Sequence, residues 1–390
     1  VHDTRVVMAL ALAEVTALLE KLAPLEHAES WDNVGLLLEP EHDRKAEGAR
    51  PEVRRALVLV DLTERVLDEA LARDVDLLIA YHPPLFAPFK RLRGSSVTER
   101  LVVRAIKSGL AVYSPHTALD AAPGGVNDWL AGALGAGARS PLVSARARDA
   151  SAAYKLVVFV PAEHTGALRE ALAAAGAGVI GNYTECSYEL DGSGTFVGND
   201  AANPVVGERG RLERVAEVRL EMVCSEAALP RAAEALRRAH PYEEPAWDVY
   251  PLAPKPAPGF GAGRRVELAE PVTLDALVER VKTHVGRPSL RVARAEQHAS
   301  GAPVRTIAVC AGAGGGLLES ALGADVFVTG ELRHHDALRA IAQGTSVVLC
   351  EHSSSERGFL PVFAERLREA ARGGLDVLVS DADREPFAVV

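Results

Sequence analysis

Four side chains have the chemistry and the placement of a divalent-metal site: His82, Asp120, His352 and Glu356. Imidazole nitrogen combined with carboxylate oxygen suits Zn, Mn or Fe. His352 and Glu356 stand four apart, so a helix starting within Ser353-Ser354-Ser355 puts both on one side of its first turn, with the serines available to cap it. His82 precedes Pro83-Pro84, which stiffen the loop and fix the direction of the imidazole. Asp120 ends the run Ser114-Pro115-His116-Thr117-Ala118-Leu119-Asp120, within which His116 reads as a partner that holds Asp120 or a ligand rather than as a ligand itself. Glu331 follows Thr329-Gly330, and it or Glu356 would position a water for attack.

Each residue alone also has a plainer explanation. An isolated His-x-x-x-Glu is usually a solvated helix start. A single histidine is usually bonded to backbone. Asp120 would serve equally as an N-cap, because Gly124-Gly125 and a helix follow. What outweighs these explanations is shared position, since every candidate comes directly after a short apolar run. Ligands gather at the carboxyl ends of strands in parallel sheets. The run Ala311–Gly316 lacks the Lys-Ser/Thr of a P-loop and reads as a tight strand-to-helix turn ahead of the alternative, a phosphate cradle at a helix N-terminus with contacts from Gly312–Gly316. His334 and His335 are adjacent, so at most one of them faces the site. No GxSxG elbow is present.

The positioning elements follow from the apolar pattern. Buried strands are expected at 55–60, 76–80 and 111–114, with helices at 7–22, 63–73, 97–108 and 125–134. The last third repeats this grammar, with strands at 306–310, 325–329, 346–350 and 375–380 and helices at 316–322, 335–342 and 357–371. Continuous apolar strands between amphipathic helices predict a parallel sheet covered on both faces. The middle differs. Strands at 155–161, 214–223 and 246–252, helices at 164–175 and 227–240, and a hairpin around Asp191-Gly192 give a β-α-β-β-α-β order. The Pro-rich stretch 251–259 reads as its exit linker. The fold class expected is therefore α/β, a layered sheet-and-helix core (1–150 and 256–390) interrupted by an α+β domain at 151–255. The two outer segments also look like related halves.

Composition narrows the function classes. The chain has 390 residues and a formal net charge of −10, which makes it a poor nonspecific binder of nucleic acid. No apolar run approaches the ~18–20 residues of a membrane span. There is no signal-peptide pattern at the start and no CxxC pair among the four cysteines. A cytoplasmic protein with reduced thiols is expected, free of membrane.

Taken jointly, Glu29-Ser30-Trp31-Asp32-Asn33-Val34-Gly35-Leu36, Tyr81-His82-Pro83-Pro84, His116-Thr117-Ala118-Leu119-Asp120 and His352-Ser-Ser-Ser-Glu356 resemble the Nif-three-like family of dinuclear-metal-centre proteins, often labelled GTP cyclohydrolase type 2 homologs. His240-Pro241-Tyr242-Glu243-Glu244-Pro245 is similar to the PII-like or CutA-like insertion of longer members. The resemblance implies a ring-like homohexamer and ligand roles for His82, Asp120, His352 and Glu356, with Glu356 bridging two metals. Many bacterial members have two adjacent histidines where this chain has Tyr81-His82, so one of the two metals loses a ligand. The function expected is a metal-dependent hydrolase of a nucleotide or phosphoester, with one or two metals per chain. The alternative is non-enzymatic metal delivery or regulation, with the inserted domain sensing a small molecule.

Overall fold

The computed structural model describes residues 9–39, 52–147 and 151–387. It divides into two compact units, one made of Arg146–Pro256 and the other of the segments on either side.

The larger unit holds two mixed sheets where one parallel sheet was expected. The first runs Asp376–Val379, Arg55–Leu59, Leu77–Ala80, Ala111–Ser114, Gly35–Leu38. Its first four strands are parallel and Gly35–Leu38 closes one edge antiparallel. The second runs Arg291–Ala293, Ser346–Leu349, Val326–Glu331, Val304–Ala313, Lys255–Val272, Gly137–Ala147, with a parallel centre. The central strands are apolar on both faces because both faces are covered. Val58, Ile79 and Tyr113 of the first sheet share one core with Val309, Val328 and Val348 of the second, through helices Leu12–Leu22, Leu274–His284 and Leu360–Ala370. The outer face of the first sheet packs on helices Glu64–Ala72 and Val97–Lys107, and the outer face of the second on Leu318–Ala321 and His334–Ala342. The layers alternate helix, sheet, helix, sheet, helix.

The two sheets repeat one plan. Each has an 11-residue helix, then an antiparallel edge strand, then three parallel strands joined by helices. The same device locks both. Asp76 Oδ2 accepts from the backbone N–H of Arg54 and Arg55 at 2.8 and 3.0 Å, and Asp325 Oδ2 accepts from Arg305 and Thr306 at 2.8 and 2.7 Å. Each aspartate opens the second parallel strand and ties it to the first.

The smaller unit is a four-stranded antiparallel sheet in the order Trp247–Pro251, Tyr154–Val160, Leu212–Cys224, Ser187–Val197. Helices Thr165–Ala174 and Leu229–Ala239 bury Leu168, Leu172 and Leu236 against Leu156, Val158 and Leu220. Two expectations change here. Asp191-Gly192 is not a hairpin turn, for Ser187–Val197 is one strand that pairs with Leu212–Cys224 throughout, with Asp191 opposite Val218 and Gly192 opposite Glu217. A long continuous partner outweighs a two-residue turn preference, and the chain reverses within 198–211. The Pro-rich exit is also not linker throughout, because the 18-residue strand Lys255–Val272 begins inside it.

Candidate metal centre

Tyr81-His82 follows strand Leu77–Ala80, and the strand-like bonds continue past its end, with Tyr81 N–H donating to Leu59 O (2.8 Å) and His82 N–H to Val60 O (3.1 Å). His352 and Glu356 follow Ser346–Leu349 and flank the start of the short helix Ser354–Arg357. The serines do not cap that helix. Ser353 and Ser354 instead donate to Glu385 at 2.6 and 3.0 Å, and Ser355 Oγ accepts from Gly312 N–H at 2.8 Å. Hydroxyls engaged this way pin the loop to neighbouring segments and hold the His352 and Glu356 side chains in register.

His82, His352 and Glu356 come together as a group able to hold a metal ion. His82 Nε2 lies 3.5 Å from Glu356 Oε2, and His352 Nε2 lies 3.4 Å from Glu356 Oε1. Glu356 is only 3% exposed, and its Oε2 has no hydrogen-bond partner among the described residues. His82 Nε2, at 3.5 Å, is too distant to satisfy it well, and a buried carboxylate oxygen so placed is costly unless a cation satisfies it. Both imidazoles are also held from behind. His82 Nδ1 is 2.9 Å from Asp61, and His352 Nδ1 is 3.1 Å from Glu331. A carboxylate on Nδ1 that leaves Nε2 for the metal is the usual way such ligands are oriented. With no cation beside it, burial disfavours the charged form of His82, but Asp61 and Glu356 outweigh it and raise the imidazole to about 10, so a cation taken up at Nε2 would displace a proton. The bond to His82 holds Asp61 below the ordinary carboxylate range against its own burial.

Glycines make room for the cluster. A Cβ on Gly312, whose φ is +64°, would stand 2.6 Å from Glu356 Oε1 and 3.2 Å from His352 Nε2. One on Gly330 would stand 2.9 Å from His352 Cα. Strand Val304–Ala313 runs directly into the 3-10 turn Gly314–Leu317, and Gly312, still in the strand, brings backbone up against the group. The orphaned oxygen, the two Nε2 atoms and the glycine cradle together fit a divalent cation.

Asp120 is not one of the three converging groups, although it lies close enough to feel the charges of Glu356 and His82. It lies in helix His116–Ala121, where its Oδ1 accepts the hydroxyl of Tyr81. Burial lifts its carboxyl to about 6 despite that bond, and Glu356 adds to the rise. Burial, with Asp120 and Glu356 nearby, pushes the Tyr81 phenol well above its usual value. His116 turns to Asp32, not to Asp120, with Nδ1 to Oδ1 at 2.8 Å. Asp32 Oδ2 also accepts Thr117 N–H at 3.1 Å and the Thr117 hydroxyl. Burial opposes ionisation of Asp32, and these bonds overcome it, so its pKa falls. His116 (φ +22°) and Glu351 (φ +64°) both take left-handed backbone where a strand turns into a ligand-bearing helix, one in each half. Such strain persists only where surroundings fix it. Asp32 is the partner that sequence pattern does not find, since it lies 84 residues from His116.

Comparison with known proteins agrees with this architecture. NIF3-like protein 1 of Rattus norvegicus is 36% identical over 381 residues, covering 97% of this chain and 93% of that protein. A GTP cyclohydrolase 1 type 2 homolog of Halalkalibacterium halodurans is 34% identical over 380 residues, covering 96% of this chain and 98% of that protein. Among solved structures, a Bacillus cereus protein related to NIF3 superposes with a TM-score of 0.66 at 33% identity, covering 98% of this chain and 99% of that one. A Staphylococcus aureus protein superposes with a TM-score of 0.75 at 26% identity, with the same coverage. The family model described as Duf34/NIF3 (NGG1p interacting factor 3) matches residues 10–386, so the two-sheet core, the inserted unit and the strand ends that carry the histidines are those of one family, and this chain belongs to it.

Proposed function

We propose that this chain is a metal-dependent hydrolase acting on a nucleotide or related phosphoester, with the cation held by His82, His352 and Glu356 and Asp120 as a further ligand. The observation that carries this reading is the convergence of two Nε2 atoms on the two oxygens of one buried carboxylate. A divalent cation there would polarise a phosphoryl oxygen and acidify a water. Asp61 and Glu331 keep the two imidazoles oriented from Nδ1. Glu356 and Glu331 are the carboxylates we assign to holding and directing the water. His352, partly exposed, leaves the group open to a substrate. The names of the GTP cyclohydrolase 1 type 2 homologs agree with a nucleotide substrate. Assembly as a homohexamer in the cytoplasm completes the proposal. The three buried free thiols, Cys224, Cys310 and Cys350, support a reducing location. No described helix is long and apolar enough to cross a membrane.

The test is metal analysis of freshly purified protein, followed by hydrolysis assays over nucleotides and phosphoesters. Metal-dependent turnover that Glu356→Ala abolishes is expected. Exchangeable metal without turnover would replace this reading with metal delivery or regulation. One observation favours that second reading: the inserted unit carries an open pocket of about 660 Å³ lined by Phe159, Phe196, Glu217, Arg219 and Tyr242, a size suited to a small regulatory molecule.

A further inference from the structure

Aromatic rings follow one another outward from the metal group. Centroids are 5.3 Å apart from His352 to His82, 5.4 Å from His82 to His116, 6.1 Å from His116 to Trp31 and 6.1 Å from Trp31 to Phe86. The three imidazoles are partly buried, whereas Trp31 is 60% exposed and Phe86 55%. Isolated exposed apolar side chains need no explanation. These two are different because the backbone that carries them is anchored. On one side of Trp31, Glu29 N–H donates to Thr117 Oγ1 at 3.0 Å. On the other, Asp32 is bonded to His116 and Thr117, and Asn33 Nδ2 donates to the carbonyl of Leu85, the neighbour of Phe86. Polar bonds therefore tie down both loops, and the two rings they carry, inclined at 56° to each other, remain largely in solvent. His116 meets Trp31 edge-on, at 78° between the planes, and closes the inner end beside His82.

We propose that Trp31 and Phe86 form a preorganised stacking platform for a heteroaromatic ring of the substrate, of nucleobase type, whose phosphate-bearing remainder reaches the metal group. This deepens the hydrolase reading and rests on it. Fixed aromatic faces bind bases by stacking with little ordering cost, and the interaction tolerates different bases because each has a π-face. The two requirements on the ligand, a planar ring outside and an anionic group inside, are met together by a nucleotide and not by a sugar phosphate.

Full-length protein would be titrated by calorimetry with guanosine 5′-monophosphate and with ribose 5-phosphate, with bound metal counted on the same samples. Guanosine 5′-monophosphate is expected to bind more tightly and to quench tryptophan fluorescence. Trp31→Ala should weaken it by about tenfold or more, Trp31→Phe should retain most of the affinity, and neither should change ribose 5-phosphate binding or metal content. Equal affinity for the two probes, or unchanged nucleotide affinity in Trp31→Ala, would overturn the proposal. So would a Trp31→Ala variant whose only change is a lower assembly mass, for the patch would then be a contact between copies. Absence of metal from the unmodified protein is a separate outcome, and it removes the hydrolase reading on which this one rests.

Discussion

Tyr81 donates its hydroxyl to Asp120 Oδ1 inside the larger unit. A phenol whose pKa burial raises further is a poor metal ligand near neutral pH, and the bond it makes engages one oxygen of a carboxylate that would otherwise be free for a cation. Unequal occupancy is therefore expected, with one tightly held metal per chain and a second that dialyses away. Tyr81→His should tighten the second site by about tenfold or more, as expected when a coordinating imidazole replaces a non-coordinating group. Metal counting across a chelator titration measures both. Two equally tight metals in the unmodified protein, indifferent to Tyr81→Phe, would show that the tyrosine does not limit the site.

Gly312→Ala tests the cradle. Its Cβ would stand 2.6 Å from Glu356 Oε1 on a backbone with φ +64°. The variant should lose metal affinity by about 10–100-fold, the range seen when the surroundings of metal ligands are altered. His352→Ala and Glu356→Ala should also lose stoichiometric metal while keeping the far-ultraviolet circular dichroism of the fold. Full metal retention by all three would place the ion elsewhere.

A partly buried ion pair supports the end of the Asp120 helix. Arg264, 2% exposed, reaches Asp128 at 2.9 Å through both Nε and Nη2, and its remaining N–H groups donate to the carbonyls of Gly261, Gly263 and Ala122 at 2.8 Å. Arg264→Leu removes that donor, leaving Asp128 with the N–H of Gly124 and Ala122 O with that of Gly125. A loss of about 3–5 kcal/mol is expected by urea unfolding. A variant of unchanged midpoint would show that solvent or rearrangement compensates.

Asp325 gives a pH test. Burial raises its pKa, and the N–H groups of Arg305 and Thr306 with the Thr306 hydroxyl more than reverse this, so the folded value lies below the unfolded one. The stabilisation is thus fully present above the unfolded aspartate range, near pH 3.9, and is lost as pH falls through the folded value. Asp325→Asn should cost on the order of 1 kcal/mol at pH 7, with the gap to the parent protein narrowing below about pH 4. A gap that stays constant with pH would mean that the charge contributes nothing.

Assembly is tested by light scattering. A mass near six times the 41.3 kDa chain is expected from the family resemblance. A monomer throughout the micromolar range would remove the ring-like hexamer.

The strand ends that carry His82, His352 and Glu356 were legible in the sequence because buried parallel strands are short apolar runs, and whatever follows such a run stands at the sheet's carboxyl edge. The division of the core into two sheets was not legible. Both sheets are built from the same kind of strand, and only the shared middle helices separate them. Asp191-Gly192 misled because local turn chemistry says nothing about how long the facing strand is. Asp32 escaped because an aspartate in a loop carries no periodic signal, and its role exists only through His116, 84 residues away. The serines after His352 illustrate the same limit: their spacing suits a helix cap, but Glu385 and Gly312 claim their hydroxyls.

The pairing of Asp376–Val379 with Arg55–Leu59 has a consequence for biosynthesis. These parallel neighbours are clasped by Arg55 Nε on Asp376 at 2.7 Å, across 321 residues of chain. At translation rates of about 5–20 residues per second, one side of Arg55–Leu59 stays unpaired for on the order of tens of seconds. Throughout that interval a Leu- and Val-rich strand offers its hydrogen-bonding edge to any passing chain. The inserted unit, whose strands pair with one another, is synthesised and can fold within the same interval. Vectorial synthesis thus delays completion of the first sheet until the last described strand has been made. Truncation before Asp376 would leave an aggregation-prone nascent chain, and the need for chaperone shielding should fall on the larger unit more than on the smaller.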